Sequence, residues 1–125
     1  MIDVQCSMFN FEKLDFWQRA IGFADLVYNH TRHFPADERF GLTNQMRRAA
    51  VSISSNIAEG ASRVSQADFA RFVEIAMGSV FEVVSQAFVG RRQDFLNQEG
   101  FRALYTAAEE IGRVLSGLRK SLPST

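Results

Sequence analysis

Apolar residues recur at helical spacing in four stretches of the chain, and strict alternation of apolar and polar residues is absent. Positions that step by three and four share one face of an α-helix, so each stretch predicts an amphipathic helix with a core-facing stripe. The predicted stripes are Leu14, Trp17, Ile21, Ala24, Tyr28 and Thr31; Leu42, Met46, Ala49, Ala50, Ile53 and Ile57; Phe69, Phe72, Val73, Ala76, Val80, Val83 and Ala87; and Phe101, Leu104, Ala108, Ile111, Leu115, Leu118 and Leu122. The pattern therefore predicts an all-α protein.

Proline, glycine and capping residues mark the predicted helix ends. Pro35 ends the first helix, because the residue before a proline avoids the helical region. Gly60 is placed to stop the second helix as a C-terminal glycine. Ser65 and Asn97 precede the third and fourth helices and are predicted to cap them.

The lengths of the linkers indicate how the helices are arranged. Only residues 33–42 form a longer connection, and helices joined by short loops pack antiparallel. The prediction is an antiparallel up-down-up-down four-helix bundle over residues 11–122, preceded by a flexible N-terminal tail at residues 1–10. A chain of 125 residues with 46% hydrophobic content fits one domain with a full core.

The first and third helices carry a second apolar set outside the predicted core stripe. A helix in a four-helix monomer buries one stripe, so the second set predicts either half-buried flanks or a surface that binds another subunit. Small polar residues on the second helix, among them Ser52 and Asn56, also fit either a neighbouring subunit or a tightly packed monomer. The predicted interface residues are Phe16, Phe23, Val27, Ile75, Phe81 and Val89.

Charge and cysteine content limit the function classes. The chain has 14 basic and 14 acidic residues, so its composition does not indicate a strongly basic nucleic-acid binder. Cys6 is the only cysteine, which excludes an internal disulfide and fits a reducing compartment. No signal peptide is evident, and residues 72–89 are expected to be too short and too polar to span a bilayer. The expectation is a cytoplasmic protein with no membrane partner.

The predicted topology gathers arginines at one end of the bundle, where helices one and three end and helices two and four begin. That end holds seven arginines and four carboxylates, a net charge of +3, against seven basic and ten acidic residues elsewhere, a net charge of −3. This favours contact with phosphates; alternatively, Arg47 and Arg48 pair with Asp37 and Glu38 and hold the loop. The candidate nucleic-acid-binding residues are Arg32, Arg39, Arg47, Arg48, Arg91 and Arg92.

No catalytic constellation stands out in the sequence. A di-iron enzyme built on a bundle needs Glu-x-x-His pairs, and no such pair exists here. His30 and His33 would need Asp37 or Glu38 to complete a metal site, and two histidines near a loop are more often solvated or helix-capping. The prediction is a protein that is not an enzyme and holds no metal or cofactor.

One long motif carries a family resemblance. It reads TRHFPADERFGL over Thr31–Leu42, QMRRAAVSI over Gln45–Ile53 and NIAEG over Asn56–Gly60. It continues through Ser65, Phe69, Phe72, Ile75, Ala76, Gly78, Ser79 and Glu82. On these residues the chain resembles the four-helix-bundle family named for proteins encoded in intervening sequences of 23S ribosomal RNA genes.

The resemblance implies a bundle that assembles into a ring, typically a homopentamer, with no catalytic residues. The family is similar to the accessory protein of diversity-generating retroelements, which binds a reverse transcriptase and nucleic acid through a basic surface. The expected function is a non-enzymatic oligomeric adaptor that contacts RNA or a reverse-transcriptase-like protein through a basic end. The alternative is a protein–protein scaffold without nucleic acid. Ser54, where a proline is common, and Val83-Val84, where a polar run is usual, depart from the family pattern.

Overall fold

The computed structural model describes residues 9–123, and this part of the chain is all-helical with four long helices and no strands. Each long helix packs against two others, α1 and α3 both contacting α2 and α4, which is consistent with a four-helix bundle. The four helices predicted from the apolar pattern are confirmed. They are α1 (Asp15–Thr31), α2 (Leu42–Ala61), α3 (Gln66–Arg92) and α4 (Gln98–Ser121), with short 3-10 helices at Asn10–Lys13 and Ala36–Glu38.

The predicted N-terminal tail falls mostly outside the described residues. Residues 1–8, which include Cys6, belong to that undescribed part. The 3-10 helix Asn10–Lys13 packs against α1 and α2. Its Phe11 ring meets the Trp17 ring edge-on, with 5.1 Å between the centroids. Helical structure therefore begins one residue before the predicted boundary of the bundle.

Two predicted caps and three predicted core stripes are confirmed. Ser65 Oγ accepts a hydrogen bond from Asp68 N at 3.3 Å, and Asn97 Oδ1 accepts one from Gly100 N at 2.7 Å. All six predicted positions of α2 are buried. The α4 stripe is buried along its centre and half-buried at both ends, and the α3 stripe is buried except at its N-terminal end, where Phe69 and Phe72 are half-buried.

The predicted role of Gly60 is wrong. Helix α2 continues to Ala61, and no glycine among residues 9–123 adopts the positive φ of a C-terminal cap. A Cβ added at Gly60 would lie 2.6 Å from Phe72 Cβ and 2.9 Å from Phe69 Cδ1. Gly60 therefore lets the end of α2 approach the first turns of α3.

The predicted core face of α1 is only partly correct, since Ala24 and Thr31 are buried as predicted but two other positions are not, and two of the predicted interface residues are wrong. Phe23 and Val27 are buried in the core, whereas Ile21 and Tyr28, which were expected there, are each 38% exposed. The buried face of α1 is shifted by about one residue from the predicted face, and this orientation buries the Phe23 ring. Tyr28 remains partly exposed, as suits a side chain with a polar end. Phe23 and Val27 cannot contact another subunit.

Helix α3 is more apolar than the sequence reasoning allowed. By length and composition alone it is able to cross a membrane, with 27 residues and a mean hydropathy of 1.5 over its best 18-residue window. The expectation that residues 72–89 are too short and too polar is therefore wrong. Core helices of soluble proteins meet the same criterion, and α3 packs against α2 and α4. Only 33% of the window is buried, so α3 also presents an apolar outer face.

Small polar residues of α2 are used within the protomer. Ser52 Oγ and Ser79 Oγ lie 2.9 Å apart across the contact between α2 and α3. Asn56 Nδ2 donates to Ser52 O at 2.8 Å and approaches Ser52 Oγ at 3.0 Å. Because these side chains are short, the two helices approach closely. The tightly packed protomer thus accounts for Ser52 and Asn56 without a neighbouring subunit.

Candidate functional site

Three of the six predicted nucleic-acid-binding arginines line one open groove of about 590 Å³. Arg39 comes from the loop before α2, and Arg47 and Arg48 come from the second turn of α2. We call this the arginine groove; no carboxylate lines it. Its remaining lining residues are Tyr28, Phe40, Thr43, Asn44, Val51, Ser52 and Ser55.

Arg47 is held in place by the end of α1. Its Nε donates to Thr31 Oγ1 at 2.9 Å and its Nη2 donates to Tyr28 O at 3.4 Å. Its guanidinium carbon lies 4.5 Å from the centroid of the Tyr28 ring, within the range of a cation–π contact. Thr31 is buried and donates in turn to Val27 O at 2.8 Å. Arg47 therefore joins α1 to α2, and its charge lies at the groove wall.

Arg39 and Arg48 are exposed, and neither forms an ion pair within the described part of the chain. The alternative that Arg47 and Arg48 pair with the acids of the preceding loop is wrong. Glu38 Oε1 instead accepts a hydrogen bond from Leu42 N at 3.0 Å and caps α2. Glu82 shares an adjacent depression with Arg48 but does not pair with it. None of the three arginines of the groove therefore forms an ion pair with a carboxylate in the described residues.

The other three predicted arginines lie outside the arginine groove. Arg91 Nη1 is 3.7 Å from Asp94 Oδ1, and Arg32 Nε donates to Asn29 Oδ1 at 3.4 Å. Arg92 is exposed, and no ion pair involves it among residues 9–123. A Cβ at Gly90 would lie 3.6 Å from Leu42 Cδ2, which brings the end of α3 beside the start of α2. Arg91 and Arg92 are therefore at the groove's end of the molecule without lining it.

Arginines elsewhere in the described residues are mostly neutralised by carboxylates. Each of four such arginines has a carboxylate partner within 4.0 Å, whereas Arg102 and Arg113 have none in the described residues. These exposed pairs contribute little stability, but they cancel local charge. Uncompensated positive charge is thus concentrated near the arginine groove. The four pairs are Arg19–Asp15, Arg63–Glu59, Arg71–Asp68 and Arg119–Glu74.

A second groove, between α3 and α4, is apolar. We call it the α3–α4 groove; it has a volume of about 400 Å³. Phe81, a predicted interface residue, lines it and is 72% exposed. Beyond it, the Phe88 ring packs against Phe101 and Tyr105, with centroid distances of 4.8 Å and 6.3 Å. The groove is lined by Met77, Val80, Phe81, Val84, Tyr105, Ala108, Glu109, Gly112, Arg113 and Ser116.

The remaining predicted interface residues do not line the α3–α4 groove. Ile75 is 52% exposed and lines a separate depression with Phe72. Val89 is also exposed, near the end of α3. Phe16 is half-buried, with its ring centroid 6.3 Å from that of Phe69. Exposed apolar residues therefore cover more than one side of α3, and Phe81 is the one in a formed groove.

The two histidines do not form a metal site with the neighbouring acids. No group of three or more His, Cys, Asp or Glu side chains in the described residues is arranged to hold a metal ion. His30 is half-buried, and its Nδ1 would lie 3.2 Å from a Cβ added at Gly100. His33 is exposed in the turn after α1.

Sequence reasoning identified none of the seven other lining residues of the arginine groove as site residues, and two of them, Phe40 and Thr43, have unusual environments. Phe40 is 84% exposed, and Arg39 lies over its ring at 5.5 Å from the centroid. Thr43 is only 8% exposed, and its Oγ1 has no hydrogen-bond partner in the described part of the chain. The sequence did hold a signal that Phe40 is exposed, because Phe40 lies between Arg39 and Gly41 and belongs to none of the predicted apolar stripes. Nothing in the sequence pattern distinguished Thr43, because its burial depends on tertiary packing.

Fold and site together define an all-helical, four-helix protein with a carboxylate-free arginine groove and a separate apolar groove. The chain matches the model of the 23S rRNA-intervening sequence protein family over residues 12–117. It belongs to that family, as the motif between Thr31 and Gly60 predicted. The comparison with curated proteins finds no match.

A solved structure shows a similar fold. It is the crystal structure of a protein of unknown function from the S23 ribosomal protein family of Bacteroides thetaiotaomicron. The two chains are 22% identical and superpose with a TM-score of 0.75, over 84% of this chain and 98% of the other. At this identity the likeness supports the four-helix fold alone.

Proposed function

We propose that this protein is a non-enzymatic, cytoplasmic adaptor that forms a homo-oligomer and contacts RNA, or an enzyme acting on nucleic acid, through the arginine groove. The observation that carries the proposal is a groove lined by three arginines and no carboxylate. Guanidinium groups suit phosphate oxygens, because their planar donors match the oxygen geometry. A reverse-transcriptase-like protein is the kind of enzyme that the family resemblance implies.

The proposed arrangement is an antiparallel up-down-up-down bundle, with the arginines at one end. Contacts between helix ends support it. Arg47, early in α2, bonds to Thr31 at the end of α1, and Gly60, late in α2, adjoins Phe72 early in α3. Arg119, late in α4, pairs with Glu74, early in α3. In this arrangement a ring of parallel subunits repeats the arginine groove along one rim.

Assembly into a ring, with a pentamer as the expected size, is proposed through the exposed apolar surface of α3. Phe81 in the α3–α4 groove is its best-placed residue, and Ile75 and Val89 extend it. Exposed apolar patches of this kind mark protein contacts. The same groove favours the alternative function, a scaffold that binds proteins and no nucleic acid. Binding of nucleic acid decides between the two functions.

The test is a fluorescence anisotropy titration of labelled RNA at about 50 mM and about 200 mM salt. Three phosphate contacts to a single strand predict a loss of roughly 20-fold in affinity across that range, because each contact releases about 0.7 counterion. The double variant Arg39→Ala/Arg48→Ala should lower the salt slope by about 1.4, the share of two contacts. Arg47 is left intact, since its removal would also loosen α1 from α2.

Arg71→Ala is the matched control, because it removes one exposed arginine near the start of α3, far along the helix from Arg91 and Arg92. It should bind RNA as the wild type does. Arg91→Ala/Arg92→Ala tests the rest of the basic end and should weaken binding less than the groove variant. Absence of wild-type binding at the lower salt concentration would reject the nucleic-acid function and leave the scaffold.

A further inference from the structure

Phe40 occupies an unusual position for a large apolar side chain. It is the most exposed aromatic residue in the described part of the chain, at 84%, and it stands in the loop before α2. The backbone around it is braced, since Gly41 N donates to Glu38 O at 3.0 Å and Leu42 N donates to Glu38 Oε1 at 3.0 Å. The ring is therefore presented to solvent by an ordered turn.

The surroundings of the Phe40 ring are cationic and polar. The guanidinium of Arg39 lies over the ring at 5.5 Å, and Arg48 lines the same groove without a carboxylate partner. Thr43 contributes a hydroxyl that is more than nine-tenths buried and has no hydrogen-bond partner among residues 9–123. Buried polar atoms are normally satisfied, so the unpaired Thr43 hydroxyl is an exception in the wall of the groove.

These features fit a nucleotide better than an apolar protein surface. A nucleotide offers the flat face of its base to the Phe40 ring and its phosphate group to the arginines. A protein contact driven by burial needs contiguous apolar area, as at the α3–α4 groove around Phe81, Val84 and Tyr105. Around Phe40, only Tyr28 and Val51 add apolar surface to the groove.

We infer that Phe40 is a stacking platform for one unpaired base, so that the arginine groove selects single-stranded over double-stranded RNA. This inference rests on the proposed function and adds the class of nucleic acid. In a duplex the bases are stacked on one another, so no base face is available to the Phe40 ring. A single strand offers both the phosphate contacts and the base face.

The test compares two probes on the full chain: an unstructured ten-nucleotide RNA and the duplex that it forms with its complement. Phe40→Leu keeps an apolar side chain but removes the aromatic face, whereas Phe40→Tyr keeps the face. Loss of one base stack predicts at least about fivefold weaker single-strand binding by Phe40→Leu. Phe40→Tyr should bind as the wild type does, and duplex binding should be the same in all three proteins.

Sedimentation of each variant shows whether weaker RNA binding comes from a lost base contact or from a change in oligomeric size. Equal weakening of both probes, or no effect of Phe40→Leu on the single strand, would overturn the stacking role while wild-type binding keeps the proposed function. A change in oligomeric size with Phe40→Leu would make Phe40 a contact with a second copy of the chain and overturn the inference. Absence of wild-type binding to both probes would reject the stacking role together with the RNA contact of the proposed function.

Discussion

Gly60 illustrates how a single residue is fixed by its tertiary neighbours and not by its local conformation. Its backbone is helical, and an alanine there would be favoured by helix propensity alone. The Cβ of Phe72 stands where an alanine methyl group would go, and it cannot move without shifting the backbone of α3. The closest approach of α2 and α3 therefore depends on the absence of one side chain.

Gly60→Ala should destabilise the protein by about 1–2 kcal/mol, because overpacking costs about 1–3 kcal/mol and the propensity gain returns at most about 1 kcal/mol. Gly22→Ala is the matched control, since a Cβ there meets nothing within 4 Å. It should stabilise by up to about 1 kcal/mol. Urea unfolding followed by circular dichroism measures both. A stabilised Gly60→Ala variant would contradict the packing role.

The residues that sequence reasoning predicted correctly are those whose role is local. Ser65 and Asn97 cap their helices with bonds to residues three positions later, so their spacing alone carries the signal. Gly60 and Arg47 act across helices, and their partners Phe72 and Thr31 follow from packing that one sequence does not reveal. The six candidate arginines were found by type and position, but only three of them line the groove.

At the scale of the helix, α1 and α2 differ in how well their apolar pattern defines a core face. In α2 the apolar positions are few and form one stripe, so all six predicted core residues are buried. In α1 large apolar residues occur on two sides, and the pattern gave no basis to prefer Phe23 over Ile21. Packing against α2 and α4 decides the rotation of α1, and Phe23 and Val27 lie inside.

Helix α2 begins with a cap that the sequence reasoning did not assign. Glu38 reaches forward to the amide of Leu42 and satisfies one of the free donors of the first turn. Glu38→Ala should cost about 1 kcal/mol of stability, the usual effect of removing a cap. Glu38→Gln should retain most of it, because the amide oxygen still accepts the bond. Thermal or urea unfolding provides the measurement.

Asp37→Ala serves as the control for Glu38→Ala. It removes a carboxylate from the same short helix, and Asp37 is exposed with no ion pair in the described residues. Its effect should stay within about 0.5 kcal/mol, as for most surface substitutions. Equal losses from both variants would mean that the general charge near α2, and not the Glu38 bond, stabilises the helix.

At the scale of the whole molecule, two surfaces of different chemistry are separated. The arginine groove lies against α2 and the loop before it, and the α3–α4 groove lies between the other two helices. One surface carries uncompensated positive charge, and the other carries exposed aromatic rings. The proposed adaptor function would use these surfaces separately, the α3–α4 groove for assembly and the arginine groove for an anionic partner.

Assembly should depend on Phe81 more than folding does. Because the Phe81 side chain is 72% exposed in the protomer, Phe81→Asp leaves the core intact and the helical circular dichroism unchanged. In an assembled ring the new carboxylate would be buried without a partner, which costs several kcal/mol and should dissociate the subunits. Sedimentation velocity should show a large wild-type species and a smaller Phe81→Asp species.

Val64→Asp, at a fully exposed loop position, should assemble normally. A wild-type protein that sediments as a 14.1 kDa monomer would refute assembly, and lost helicity in Phe81→Asp would place Phe81 in the core.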